Sequence, residues 1–221
     1  MSYYNKFSKN TFSQNGEDGI IEKLFEELNL NTESLFICEY GAHNGIHCSN
    51  SRKWLLENKA KCLLIESNNY NPNLFLELVN NSSSYGAICV NSKVGNPDYN
   101  IEYTPLHSIL KINNFPEDFD LLSVDIDGED HLSVRTKENY NPKIIIIEIN
   151  SGKNLYENLP LDVNMDQGGM NFGSSIKYMN EIGYDAVCHT GNMIYVRKDL
   201  TNKLSIPIEL INSENLYTGN K

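Results

Sequence analysis

The chain lacks most of the features that would assign it quickly. It has no C-x-x-C pair, and its five cysteines (Cys38, Cys48, Cys62, Cys89 and Cys188) are an odd number. A disulfide framework and a zinc site are therefore not expected. Cys38, Cys62, Cys89 and Cys188 lie inside apolar runs, where a reduced thiol packs as a small hydrophobe. That points to a reducing, cytoplasmic compartment. There is no Lys/Arg-rich run. The net charge of -11 disfavours long-range attraction to nucleic acid or to an anionic membrane. Arg197-Lys198, the longest basic cluster, reads as a solvated strand end. The N-terminal residues MSYYNKFSKN contain no apolar segment of signal-peptide type, and no apolar run approaches membrane-spanning length. No internal repeat is present.

What remains is a chain of 221 residues with 40% hydrophobic composition, enough for one domain with a full core. From Gly16 onward, Ile21, Leu24, Phe25 and Leu28 recur at i, i+3, i+4 and i+7, which predicts an amphipathic helix with Glu17 and Asp18 in its first turn. Strands are expected at 35–40, 62–66, 86–90, 121–125 and 143–148. Four consecutive isoleucines in the last of these fit a central parallel strand buried on both faces. Helices are expected at 49–58, after Pro72, at 106–112 and at 174–182, the last stopping at Gly183. Two further strands, 186–189 and 193–196, flank a turn holding Gly191-Asn192, which predicts a hairpin. The expected fold is α/β: a doubly wound, Rossmann-like, seven-stranded, mostly parallel sheet ending in an antiparallel hairpin. The whole chain, 1–221, is read as one domain. Residues 1–30 form an N-terminal helical extension, and 150–173 form a long polar loop.

Ligands of such sheets bind beyond the carboxyl ends of the strands. The segment LFICEYGAHNG runs from an apolar strand into a glycine turn, and the next strand, CLLIE, ends in Glu66. The glycine spacing is not that of the dinucleotide fingerprint G-x-G-x-x-G. It resembles the E-x-G-x-x-x-G turn of S-adenosylmethionine-dependent methyltransferases, matched here by Glu39, Gly41 and Gly45. A final antiparallel hairpin is likewise a signature of the class I type of these enzymes. On that resemblance the turn, with Tyr40, Gly41, Ala42, Asn44 and Gly45, wraps the methionyl part of the cofactor while Glu39 reaches its ammonium. Glu66 and Ser67 take the ribose, and Asn91 and Ser92 the adenine edge. The structural alternative is a tight strand-to-helix connection that needs glycine for geometry alone.

Two neighbouring strands end in acids: Asp125-Ile126-Asp127-Gly128-Glu129-Asp130-His131 and Glu148-Ile149-Asn150. Carboxylates this close raise one another's pKa unless a cation binds. Asp125, Asp127 and Glu148 are thus candidate ligands for Mg²⁺ or Mn²⁺. Asp125, Asp127, His131 and Glu148 are also the candidate catalytic residues, one of the carboxylates or His131 serving as general base. Otherwise Asp127 and Gly128 cap a following helix and Asp125 touches the cofactor. The D-x-D-G segment also resembles the nucleophile motif of haloacid-dehalogenase-type phosphatases. Glu129 stands where that motif has Thr or Val, and no later acid pair completes its Mg²⁺ site. An EF-hand loop is excluded because Gly128 falls at the fourth position instead of the sixth.

Five segments in order resemble the FkbM-type methyltransferases, over about 12–200. They are FSQNGEDGIIEKLF, YTPLHSIL, VDIDGED, IIIIEI and FGSSIKYMNEIGYDAVCHTGNMIYVRKDL. The chain departs from the family pattern at His107, where an acid is more usual, and at Asp127, which replaces Glu. The resemblance implies S-adenosylmethionine as methyl donor and an oxygen acceptor on a sugar, nucleotide-sugar or glycoconjugate. A homodimer is left open. Gln14, Glu17 and Asp18 either join the active site or cap the first helix. The loop 150–173 is the candidate acceptor lid, with Tyr156, Asn164, Asp166 and Gln167 as candidate contacts. A phosphatase using Asp125, or a non-catalytic module that keeps the fold, are the alternatives to an O-methyltransferase.

Overall fold

The computed structural model describes residues 2–57, 59–68, 71–155 and 169–218. Its centre is a seven-stranded sheet. Numbered along the chain, the strands are β1 (Leu35–Tyr40), β2 (Ala60–Glu66), β3 (Ile88–Asn91), β4 (Leu121–Val124), β5 (Ile144–Glu148), β6 (Tyr184–His189) and β7 (Asn192–Arg197). Their spatial order is β3-β2-β1-β4-β5-β7-β6. The first five are mutually parallel, and β7 runs antiparallel to both β5 and β6. Ile144 to Ile147 are at most 1% exposed, as the isoleucine run requires of a strand covered on both faces.

The helices are α1 (Glu17–Glu27), α2 (Arg52–Leu56), α3 (Leu74–Ser82), α4 (Leu106–Ile112), α5 (Asp130–Arg135) and α6 (Phe172–Glu181). The stripe Ile20, Ile21, Leu24 and Phe25 of α1 is buried, and Phe25 packs on Trp54 of α2 with ring centroids 4.9 Å apart. Three details differ from expectation. Helix α2 starts at Arg52 instead of Ser49, because Ser49, Asn50 and Ser51 turn toward the Glu39 carboxylate. Pro72 lies before α3 and is not its first residue; the Asn71 side chain accepts from Asn73 N–H and sets the entry turn. A two-strand parallel ladder, Lys93–Val94 with Tyr103–Thr104, and the short α5 have no periodic signature in the sequence.

All five cysteines are free; Cys38, Cys62 and Cys188 are buried, Cys89 is half-buried and Cys48 is exposed. Among the described residues no helix is long and apolar enough to cross a membrane.

Candidate active site

The parallel register brings Glu39 beside Ser123, Glu66 beside Asn91, and Asp125 directly after β4, next to the end of β5. Because β7 is antiparallel, it delivers its first residue to this edge, and Asn192 pairs with Glu148. A cleft of about 940 Å³ opens along the carboxyl ends of the parallel strands.

The β1 turn is built on glycine for a reason internal to the fold. Gly41 has φ +73°, and a Cβ there would stand 1.5 Å from the Asp125 carbonyl oxygen. The turn after β1 therefore lies against the turn after β4. Gly45, φ +74°, is closed in by Ser82 and Leu78 of α3 and does not line the cleft. Tyr40, Gly41 and Ala42 do line it. Asn44 does not; its side chain accepts from Ile46 and His47 N–H and stabilises the turn.

Glu39 is 4% exposed and stands at the cleft wall. One oxygen accepts from Asn50 N–H at 2.7 Å, and the other from the Ser49 and Ser51 hydroxyls. Burial pushes its carboxyl up, opposed by these bonds. An ionised carboxylate has about four acceptor positions, so three are used and one remains. Glu66 accepts from His43 N–H and Ser67 N–H, both at 2.7 Å. Burial raises its pKa as well. Ser67 and Ser92 line the cleft, whereas Asn91 does not and instead accepts from Asn68 N–H.

On the β4–β5 side, Asp125, Asp127 and Glu148 bring a carboxylate oxygen each to within 4.8 Å of the others. Burial, and then Glu148, drive the Asp125 carboxyl up to about 8, and Glu148 is raised too. The two share a side-chain hydrogen bond. Asp127 sits in left-handed backbone, φ +59°. Asp130, 1% exposed, holds this turn by accepting from Ile126 and Gly128 N–H at 2.8 and 2.9 Å. Asp127 and Gly128 do not cap α5, whose N-cap residue Glu129 makes no side-chain cap bond; Asp130, the first residue of the helix, braces the turn before it instead.

His131 is not brought to the cleft. It is 3% exposed on α5, with Nε2 2.7 Å from the Ser175 hydroxyl, which in turn lies 2.6 Å from the Tyr195 hydroxyl. Burial lowers its pKa to about 3. It is a core histidine that does not line the cleft. His107 lies away from the cleft on α4, its ring against Thr136 and Glu138.

The N-terminal segment divides cleanly. Glu17 and Asp18 are fully buried. One Asp18 oxygen accepts from Thr11, Phe12 and Ser13 N–H, each at 2.8 Å, and Glu17 accepts from Asn15 N–H and the Thr190 hydroxyl, each at 2.7 Å. These acids shape a loop over the β6–β7 turn. Gln14, on that loop, lines the cleft. The base of the candidate lid is tied across by Asn150 N–H to the Met170 carbonyl at 2.8 Å and by Lys153 Nζ to the Gly169 carbonyl at 2.7 Å. Tyr156, Asn164, Asp166 and Gln167 lie outside the described residues.

Sequence reasoning missed Asn50, Ser123, Lys93, Tyr103 and Glu129, all on the cleft. Tyr103 donates to Glu129 at 2.6 Å, so the 93–104 ladder forms one rim. Lys93 and Glu129 stand just beyond the predicted strands 86–90 and 121–125, whereas Ser123 lies inside a predicted strand, Asn50 inside a predicted helix and Tyr103 in no predicted element.

No protein-family model matches the chain, and no curated protein matches it in sequence. Solved structures do resemble it. The N-terminal domain of EvdMO1, crystallised with SAH bound, superposes with a TM-score of 0.51 at 11% identity, over 88% of this chain and 82% of that one. A SAM dependent methyltransferase from Aquifex aeolicus gives 0.48 at 12%, over 80% and 88%. The CurJ carbon methyltransferase gives 0.49 at 11%, over 81% of this chain and 52% of its own. The likeness to the EvdMO1 domain is one of fold, a mostly parallel seven-stranded sheet with an antiparallel end hairpin.

Proposed function

We propose that the chain is an S-adenosylmethionine-dependent O-methyltransferase of FkbM type, acting on a hydroxyl of a saccharide or glycoconjugate. The observation that carries this reading is the cleft itself. It runs from Glu66 at the end of β2, past the glycine turn of β1, to the Asp125–Glu148 pair after β4 and β5. On this reading the nucleoside would lie over β1–β2 with Glu66 at its ribose, and Gly41 and Asp125 would face the reacting end of the donor.

Transfer breaks the bond from the methyl carbon to sulfur and makes one to the acceptor oxygen. Sulfur keeps the electron pair and becomes a neutral thioether. The acceptor proton goes to the Asp125–Glu148 pair, which burial and mutual repulsion make more basic than a free carboxylate. A sulfonium and a carboxylate become a thioether and a carboxylic acid. Opposite charges vanish together, which surroundings of lower dielectric than bulk water favour. Holding the methyl group in line with the oxygen supplies much of the remaining gain.

The oxygen-only set Asp125, Asp127 and Glu148 fits a hard divalent cation such as Mg²⁺ or Mn²⁺. Bound there, such an ion would lower the pKa of the acceptor hydroxyl. The phosphatase alternative gains nothing here: Asp130 is spent on backbone N–H groups and Glu129 on Tyr103.

Calorimetric titration with S-adenosylmethionine and S-adenosylhomocysteine, with and without Mg²⁺ or Mn²⁺, tests the reading. Micromolar binding is expected and opens a screen of sugar acceptors. No binding under any condition would overturn the methyltransferase assignment.

A further inference from the structure

The segment 92–104 bridges two strands that are not neighbours. Ser92 follows β3, and Glu129 lies in the turn after β4. In the sheet, β2 and β1 stand between them, so the gap is three strand spacings, about 14 Å. Ser92 N–H roots the segment on the Glu66 carbonyl at 3.1 Å, and the Tyr103 hydroxyl ties its far end to the Glu129 carboxylate at 2.6 Å. Ser92, Lys93, Val94, Tyr103 and Glu129 all line the cleft, so this bridge is its wall beyond Glu66. A second observation singles out Tyr103. Gly95 is buried and its backbone is not left-handed, yet a Cβ there would stand 2.5 Å from Tyr103 Cδ2 and 2.7 Å from its Cγ. The glycine makes room for the ring. The remainder of the bridge is weakly built. Its ladder is two residues a side, and the Lys93–Glu102 pair, 3.0 Å, lies at the surface, where an ion pair contributes little.

We propose that Tyr103 and Glu129 are positioning residues for the methyl donor: their bond clasps the segment 92–104 in place as the wall against which the nucleoside packs. The proposal rests on the methyltransferase reading, which lays the nucleoside over β1–β2, and adds this pair to it. Val94, 5% exposed, and the Tyr103 ring give the wall the apolar and aromatic surface that a purine base covers. A wall already fixed costs the ligand no ordering on binding, whereas a loosened wall must be ordered each time. The clasp faces the half of the ligand that S-adenosylmethionine and S-adenosylhomocysteine share. It therefore serves both forms alike and sets how long either stays bound.

The test is calorimetry and stopped-flow release with both cofactor forms on the full chain. Tyr103→Phe keeps the ring on Gly95 and removes the hydroxyl. It should weaken both forms by the same factor, about tenfold, through faster release and with unchanged binding stoichiometry. Glu129→Ala should do the same, and the double variant should lose no more than either single one. Glu129→Gln, whose carbonyl oxygen still accepts from Tyr103, should bind within about threefold of the native protein. A role in general stability alone would lower the stoichiometry and would not be rescued by glutamine. Native affinity in Tyr103→Phe, losses that multiply to about a hundredfold in the double variant, or a loss confined to one cofactor form would overturn the clasp while leaving the methyltransferase reading intact. Failure of the native protein to bind either form would instead overturn that reading.

Discussion

Gly41→Ala is the most demanding test of how the two halves of the cleft are joined. The substitution asks an L-residue to adopt φ +73°, which costs about 1–2 kcal/mol. It also places a methyl group 1.5 Å from the Asp125 carbonyl oxygen and 2.6 Å from its carbon. Both atoms are backbone, so no side chain can swing aside. The turns after β1 and β4 must separate, and the bond from Asp125 N–H to the Tyr40 carbonyl, 3.1 Å, is strained or lost, at about 1 kcal/mol. With overpacking of about 1–3 kcal/mol, the total is about 3–6 kcal/mol. Gly86 and Gly183 are natural controls. Their φ values are +88° and +94°, yet nothing lies within 4 Å of a Cβ at either. Alanine there should cost only the conformational part, about 1–2 kcal/mol. Urea melts of the three variants, with equal slopes, give the comparison. A Gly41→Ala cost no greater than that of the two controls would refute the clash argument.

Asp125→Asn is expected to abolish methyl transfer while product binding stays within about threefold, near 0.7 kcal/mol; transfer at the native rate would remove Asp125 as the base. The same variant carries a stability signature. The folded carboxyl is raised from 3.8 to about 8, so native protein binds the extra proton and loses stability as pH climbs from about 4 to about 8. In EDTA, Asp125→Asn should lose less over that span, and parallel pH profiles for the two proteins would contradict the shift. His131, lowered to about 3 by burial, should show a flat imidazole NMR signal from pH 8 down to pH 5; an inflection near its ordinary value would return it to the list of candidate bases. Asp18→Asn weakens three charge-assisted bonds to Thr11, Phe12 and Ser13 N–H and should destabilise the fold by about 2–4 kcal/mol in denaturant melts. A change below about 0.5 kcal/mol would mean the loop is held by other contacts.

The sheet was readable because its strands are apolar runs closed by acids or glycines, and β1, β5 and α4 fall within a residue of expectation. Even the hairpin turn announced itself through Gly191-Asn192. What could not be read was tertiary. Glu39 and Glu66 look alike in sequence, each an acid at the end of an apolar strand. Only the fold shows that one is wrapped by hydroxyls from 49–51 and the other by N–H groups of its own and a neighbouring turn. His131 directly follows Glu129 and Asp130 in sequence, yet α5 rotates it into the core against Ser175. Gln14, Glu17 and Asp18 form one motif with opposite fates, because two acids are consumed in fixing the loop that exposes the glutamine. The rim formed by Lys93–Val94 and Tyr103–Thr104 is too short to have a period at all.

The bond from the Thr190 hydroxyl to Glu17 spans 173 residues of chain. Contacts that distant form late, because closing so long a loop is entropically unfavourable until other structure holds its ends. During synthesis, α1 and the Gln14 loop leave the ribosome long before β6 and β7 exist to receive them. The sheet can begin assembling from β1 and β2 outward while the loop has nothing to dock on. Formation of the β6–β7 turn is then the event that completes the cleft, so an intermediate stalled before residue 190 would hold the walls built by β1, β2 and β4 and no docked Gln14 loop.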